Sequence, residues 1–165
     1  MAKRYFTSRG PATLQDFVWW SGLSVADAKT GLEASKTSLL QETFHEQTYY
    51  LSGENHTIPE NRPSAFLLPG FDEYLLGYKN RLHTIDPKHN SVWCPGNNGM
   101  FMPYLVIDSK MSGTWKRTIK KNIVSIETKP FEPLNKTYQK LIAVASKRYS
   151  DYIGITPEYD ALVEL

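Results

Sequence analysis

Thr13-Leu14-Gln15-Asp16-Phe17-Val18-Trp19-Trp20-Ser21-Gly22-Leu23-Ser24-Val25-Ala26-Asp27-Ala28 contains two helix starts and one helix stop within sixteen residues. Thr13 is a helix N-cap by type, because its hydroxyl can accept from a first-turn amide, and Gly22 suits the left-handed residue that closes a helix. The spacing predicts a helix over Leu14–Ser21. Ser24 then caps a helix over Val25–Ala34, with Val25, Ala28 and Leu32 expected on its inner face. Two short helices joined at Gly22-Leu23 make a helix-turn-helix. Upstream, residues 2–8 read as helical turns stopped by Gly10-Pro11. Downstream, Leu39–Phe44 and Gln47–Leu51 read as two strands around His45-Glu46, a hairpin with no Asn-Gly or Asp-Gly to mark its turn. Three helices followed by a hairpin is the winged-helix order, expected over residues 1–52. Trp19 and Trp20 are adjacent, so one is expected inside and the other against a neighbouring domain or the C-terminal portion.

Residues 53–64 hold Gly53, Pro59 and Pro63 with hardly any apolar side chain, and are expected to be a linker. Residues 65–165 are expected to form an α+β portion. Ala65–Leu68, Met102–Ile107, Met111–Ile119 and Ile123–Thr128 suit strands of a small antiparallel sheet, and Asp72–Gly77 suits a short helix. Asn135–Tyr152 predicts a C-terminal helix with Tyr138, Leu141, Ile142, Ala145 and Tyr149 as its inner stripe.

The chain has 165 residues, enough for one domain or two small ones, with 41% hydrophobic and 22% charged residues. Its net charge of +2 permits an anionic partner without requiring one, so any nucleic-acid footprint must come from how the bases cluster. Cys94 is the one cysteine, which excludes an intramolecular disulfide and fits a reducing, cytoplasmic compartment. No apolar run approaches the roughly 20 residues of a membrane span. His45, His56, His83 and His89 lack metal-ligand spacing, so no metal and no cofactor is expected.

Several blocks together resemble a bacterial winged-helix family whose best-known members are DNA glycosylases for alkylated or crosslinked bases. They are Arg4-Tyr5-Phe6, Gly10-Pro11-Ala12-Thr13, Asp16-Phe17, Trp19-Trp20-Ser21-Gly22-Leu23, Leu67-Leu68-Pro69, Phe71-Asp72-Glu73-Tyr74-Leu75-Leu76-Gly77-Tyr78, Asp86-Pro87 and Gly113-Thr114-Trp115. The resemblance covers about residues 2–134. It implies a final winged helix and a β-rich portion that follow further winged helices upstream. It also implies a catalytic Gln-X-Gln pair, which this sequence lacks: Gln15, Gln41, Gln47 and Gln139 are all isolated. Asn80 stands where the resemblance leads one to expect Asp. The chain by itself is therefore expected to bind DNA without releasing a base.

The candidate DNA-contacting residues are Lys79, Arg81, Lys116, Arg117, Lys120 and Lys121, with Trp115 as a ring that could stack on an unpaired base. The last four cations fall within six residues with no acid nearby in sequence. The same run also suits a solvated strand surface over a packed Trp115. Lys29, Thr30 and Lys36 are weaker candidates, because Asp27 and Glu33 on the same helical face cancel their charge; that helix either enters a groove or serves for packing. Asp72 could act as a general base, or it could serve only a structural role at a helix start. An alternative function is protein interaction through an aromatic surface around Trp20, Tyr74 and Tyr78.

Overall fold

A computed structural model describes residues 1–53 and 62–157. The chain divides into two compact units, Met1–Glu60 with Glu73–Arg81, and Asn61–Asp72 with Leu82–Leu165. Glu73–Arg81, expected in the C-terminal portion, thus belongs to the first unit. Most of the expected linker, residues 54–61, lies outside the described residues.

In the first unit, α1 (Ala2–Arg9), α2 (Leu14–Ser21) and α3 (Val25–Glu33) precede the antiparallel pair β1 (Leu39–Phe44) and β2 (Gln47–Ser52). Helix α2 starts at a capping box in which the Thr13 hydroxyl accepts from the Asp16 amide and the Asp16 carboxylate accepts from the Thr13 amide. It ends at Gly22, whose φ of 69° is left-handed. The core is Ala2, Tyr5, Phe6, Ala12, Phe17, Ala28, Leu32 and Tyr50. Its rings interlock edge-on or tilted, Tyr5 to Phe17 at 5.1 Å and Phe6 to Tyr50 at 5.5 Å. Ala12 bridges to Tyr50 of β2 through amide–carbonyl bonds of 3.0 and 2.8 Å, which closes the helical entry against the hairpin. Gly10 sits there because a side-chain carbon would meet the Tyr50 carbonyl at 2.7 Å. Val25, expected on the inner face of α3, is instead 52% exposed; as the first residue of the helix it lies beyond the reach of the core that Ala28 and Leu32 enter.

Leu75, in the short helix α4 (Glu73–Leu76), is buried in the same unit, and the segment after it is bonded to α1 and α2. The Tyr5 hydroxyl donates to the Gly77 carbonyl at 3.4 Å, and the Tyr78 hydroxyl donates to the Arg9 carbonyl at 2.7 Å. Burial pushes both phenols above their ordinary value of 10.0. A raised phenol contributes stability in full below the unfolded value and loses it as pH rises through that value toward the folded one. The chemical denaturation midpoint of the chain is therefore expected to hold below pH ~10 and fall above it. Tyr78→Phe, which removes one of these groups, makes the alkaline fall shallower. An equal slope in both proteins would contradict this.

The second unit is a five-stranded sheet in the order β3 (Ala65–Leu68), β4 (Tyr104–Ile107), β5 (Lys110–Lys120), β6 (Ile123–Pro130), β7 (Thr156–Pro157). It is antiparallel except for the parallel β6–β7 edge. A short helix not foreseen from sequence, α5 (Asn90–Trp93), follows a 3₁₀ turn started by the Asp86 side chain and Pro87. Helix α6 (Lys136–Ile153) starts at an Asn135 cap and lays Ile142 against Ala65, Leu105 and Ile107. The expected stripe holds: Tyr138, Leu141, Ala145 and Tyr149 are half-buried around Ile142.

All three hairpins among the described residues turn on two residues with positive φ: His45-Glu46, Asp108-Ser109 and Lys121-Asn122. This is the type I′ requirement, met without glycine. Each turn carries one of the residue types that tolerate the left-handed region best, His, Asp or Asn.

Candidate nucleic-acid interface

In the first unit the site grows from Asp16, which is 3% exposed. One carboxylate oxygen takes the Thr13 amide at 2.9 Å and the Thr13 hydroxyl at 2.8 Å. The other takes the Lys79 amide at 2.8 Å and the Asn80 amide at 3.4 Å. A single side chain thus caps α2 and fixes the backbone that carries Lys79 and Arg81. Gln15 and Trp19 lie one helical turn apart on α2, and the two cations line up beside them. Lys79 Nζ donates to Gln15 Oε1 at 3.4 Å, a neutral acceptor. The Arg81 guanidinium carbon lies 5.5 Å from the centre of the Trp19 ring. Arg81 Nε donates to the Leu75 carbonyl at 2.7 Å, and Trp19 Nε1 donates to the Leu76 carbonyl at 3.0 Å. Burial lowers the Arg81 pKa and the nearby Asp16 charge works against that fall, so the guanidinium stays charged.

Neither tryptophan of the Trp19-Trp20 pair is buried, contrary to the expectation that one packs inside. Trp20 tilts over Tyr5 at 5.0 Å, with the Arg9 guanidinium 6.0 Å from its ring centre. Trp19 remains 53% exposed.

In the second unit, β5 outruns β4. Its last pairing with β4 is Tyr104↔Thr114, and from Lys116 onward it pairs with β6 alone among the described residues. Alternation sends Lys116 and Lys120 to one face of this ribbon and Arg117 to the other. Lys121 occupies the turn. On the first face Lys129 joins them, a cation that the sequence reading missed because it lies one residue past the strand expected at Ile123–Thr128.

Two corrections follow. The run is not free of acid, because Glu127 stands opposite Lys116 and pairs with it at 2.8 Å. That bond, more than any other effect, holds the Glu127 carboxyl below its usual range. Trp115 does not offer a stacking face: it is 6% exposed, Nε1 donates to the Leu68 carbonyl at 2.8 Å, and its ring meets Tyr149 edge-on at 5.4 Å. Arg117 is drawn to the same tyrosine, whose hydroxyl accepts from its guanidinium. Lys120 and Lys121 are exposed.

The weaker candidates Lys29, Thr30 and Lys36 are exposed, but Lys36 bonds Glu33 at 3.2 Å and the Thr30 hydroxyl is turned back onto the Ala26 carbonyl. Asp72 is half-buried just before α4, in the second unit. Glu73, in the first unit, forms an ion pair with Arg9. The aromatic interaction surface is less available than expected, since Tyr74 and Tyr78 are half-buried and the Tyr78 hydroxyl is engaged by Arg9.

A cleft of about 610 Å³ in the second unit is lined by His83, Asp86, His89, Met111, Phe131 and Tyr138, among others. The His89 and Phe131 rings stack at 3.7 Å, and the Tyr138 hydroxyl bonds Asp108. Among the described residues no cluster of three His, Cys, Asp or Glu side chains could hold a metal, and Cys94 is buried and free. No helix among them is long and apolar enough to cross a membrane.

The family described as DNA glycosylase AlkZ-like matches residues 1–152. The solved structure of the Streptomyces sahachiroi DNA glycosylase AlkZ is similar, with a TM-score of 0.72 at 21% identity over 94% of this chain. At that identity the likeness shows the fold. The chain spans 43% of that protein's length. No functionally curated protein matches.

Proposed function

The chain belongs to the DNA glycosylase AlkZ-like family, and from that premise we propose that it is a cytoplasmic DNA-binding module of a DNA-repair glycosylase system. The order of elements over residues 2–52, three helices and then a hairpin, supports reading this part of the first unit as a winged helix. Binding runs through the phosphate backbone without strong sequence preference, because the exposed face of α3 mixes Asp27 and Glu33 with Lys29 and Lys36. The observation that carries this reading is the β5–β6 ribbon, with Lys116, Lys120 and Lys129 on one face, Lys121 at its tip and Glu127 as its acid. Lys79 and Arg81 supply further backbone contacts from the first unit. Base release is assigned to no residue of this chain, whose glutamines are isolated in sequence.

Replacing Lys116, Arg117, Lys120 and Lys121 together by Ala should weaken binding to every duplex sequence about equally. Most of that loss is expected from Lys120 and Lys121 alone, since Lys116 and Arg117 are already engaged by Glu127 and Tyr149. If each of the two neutralises one phosphate, the double variant lowers the slope of log affinity against log salt by about 1.8. A salt-titrated binding assay with single- and double-stranded DNA checks this. Unchanged affinity in the fourfold variant would reject the assignment.

A further inference from the structure

We propose that Trp19 is the platform on which this chain stacks an unpaired DNA base, with Lys79 and Arg81 holding the phosphates on either side. The proposal rests on the DNA-binding reading above and specifies which DNA it favours. An exposed tryptophan is ordinarily free to turn, and ordering it on binding would cost side-chain entropy. Here the ring is already ordered. Its Nε1–H is tied to the Leu76 carbonyl, and the Arg81 guanidinium lies over it. Arg81 is in turn tied to the Leu75 carbonyl, and the Lys79 and Asn80 amides to Asp16. Trp19 nevertheless remains 53% exposed.

Trp115 and Trp93, by contrast, are covered by the fold, at 6% and 3% exposed. An ordered, exposed indole with Arg81 over its ring and Lys79 one helical turn away at Gln15 has the chemistry that binds single-stranded nucleic acid: a π surface for any base and charges that track the backbone. Arg81 occupies one face of the ring, and the base stacks on the exposed remainder. A base paired inside an intact duplex cannot reach such a platform. The preferred DNA is therefore one with an unpaired stretch, such as a gap or a single strand.

The test measures the affinity of the full chain for three DNAs: an intact duplex, the same duplex with a three-nucleotide gap, and a single-stranded oligonucleotide. The wild type is expected to favour the gapped and single-stranded forms. Trp19→Ala should lose roughly tenfold on those two and stay within about twofold on the intact duplex. Trp19→Phe, which keeps a ring, should recover most of the loss. The oligonucleotide should quench the wild-type tryptophan fluorescence, and that quenching should diminish in Trp19→Phe. A merely structural role for Trp19 would lower the melting temperature and affect all three DNAs alike, and that result overturns the proposal. Equal wild-type affinity for gapped and intact duplex overturns it as well, while leaving the DNA-binding reading in place. A wild type that binds none of the three rejects both.

Discussion

Replacing Asp16 with Ala is expected to cost the chain roughly 3–5 kcal/mol of stability and to weaken the DNA contacts proposed for Lys79 and Arg81. The carboxylate accepts four hydrogen bonds, from the Thr13 amide and hydroxyl and from the Lys79 and Asn80 amides. It is 3% exposed, so water cannot easily replace it. Bonds to a charged acceptor contribute more than neutral ones, and each buried amide left behind adds a desolvation cost. Asp16→Asn should cost less, about 1–3 kcal/mol, because the amide oxygen can still serve one side while its NH₂ opposes the donors on the other. Urea denaturation measures both variants. The same preparations, assayed below their unfolding midpoints, should bind DNA more weakly than wild type because the Lys79–Arg81 backbone has lost its anchor. A drop in stability below about 1 kcal/mol for Asp16→Ala would show that this carboxylate is not the joint between α2 and that segment.

Trp115→Ala is expected to destabilise the second unit by roughly 3–5 kcal/mol, the range for truncating a buried aromatic. The indole fills the space between β5 and Tyr149 of α6, and its loss also leaves the Leu68 carbonyl without the Nε1 donor. Trp115→Phe keeps part of the volume but not the bond, and should fall between the two. If Trp115 instead stacked on DNA bases, Trp115→Ala would weaken single-strand binding while leaving the unfolding midpoint alone. Thermal melts beside a binding titration separate these outcomes. The contrast with Trp19 is physical: one indole N–H bonds a carbonyl inside the fold with the ring covered, while the other does so with the ring open.

The local elements were legible because each rests on interactions between near neighbours in sequence. Thr13, Gly22, Ser24 and Asn135 mark helix ends through bonds made within a turn, and the α6 stripe follows from helical period. The cation run Lys116–Lys121 was visible for the same reason. Sequence could not say which of those cations are spent, because Glu127 and Tyr149 reach them from another strand and a helix 32 residues away from Arg117. Trp115 and Trp19 look alike as letters, and burial, which separates them, is a sum over contacts from distant segments.

Asp16 could have been flagged from its place three residues after a Thr cap, but only as a helix start. Its second role arises because the fold brings Lys79 and Asn80, more than sixty positions on, against its other oxygen. The sequence by itself determined the capped helices, the hairpins, their order and the family resemblance, since these depend on spacing and residue type, but it missed α5 and the short β7. The tertiary structure decided which tryptophan is covered and which stays exposed, and which cation of the run meets an acid. Those properties depend on what lies across space, and spacing along the chain does not carry it.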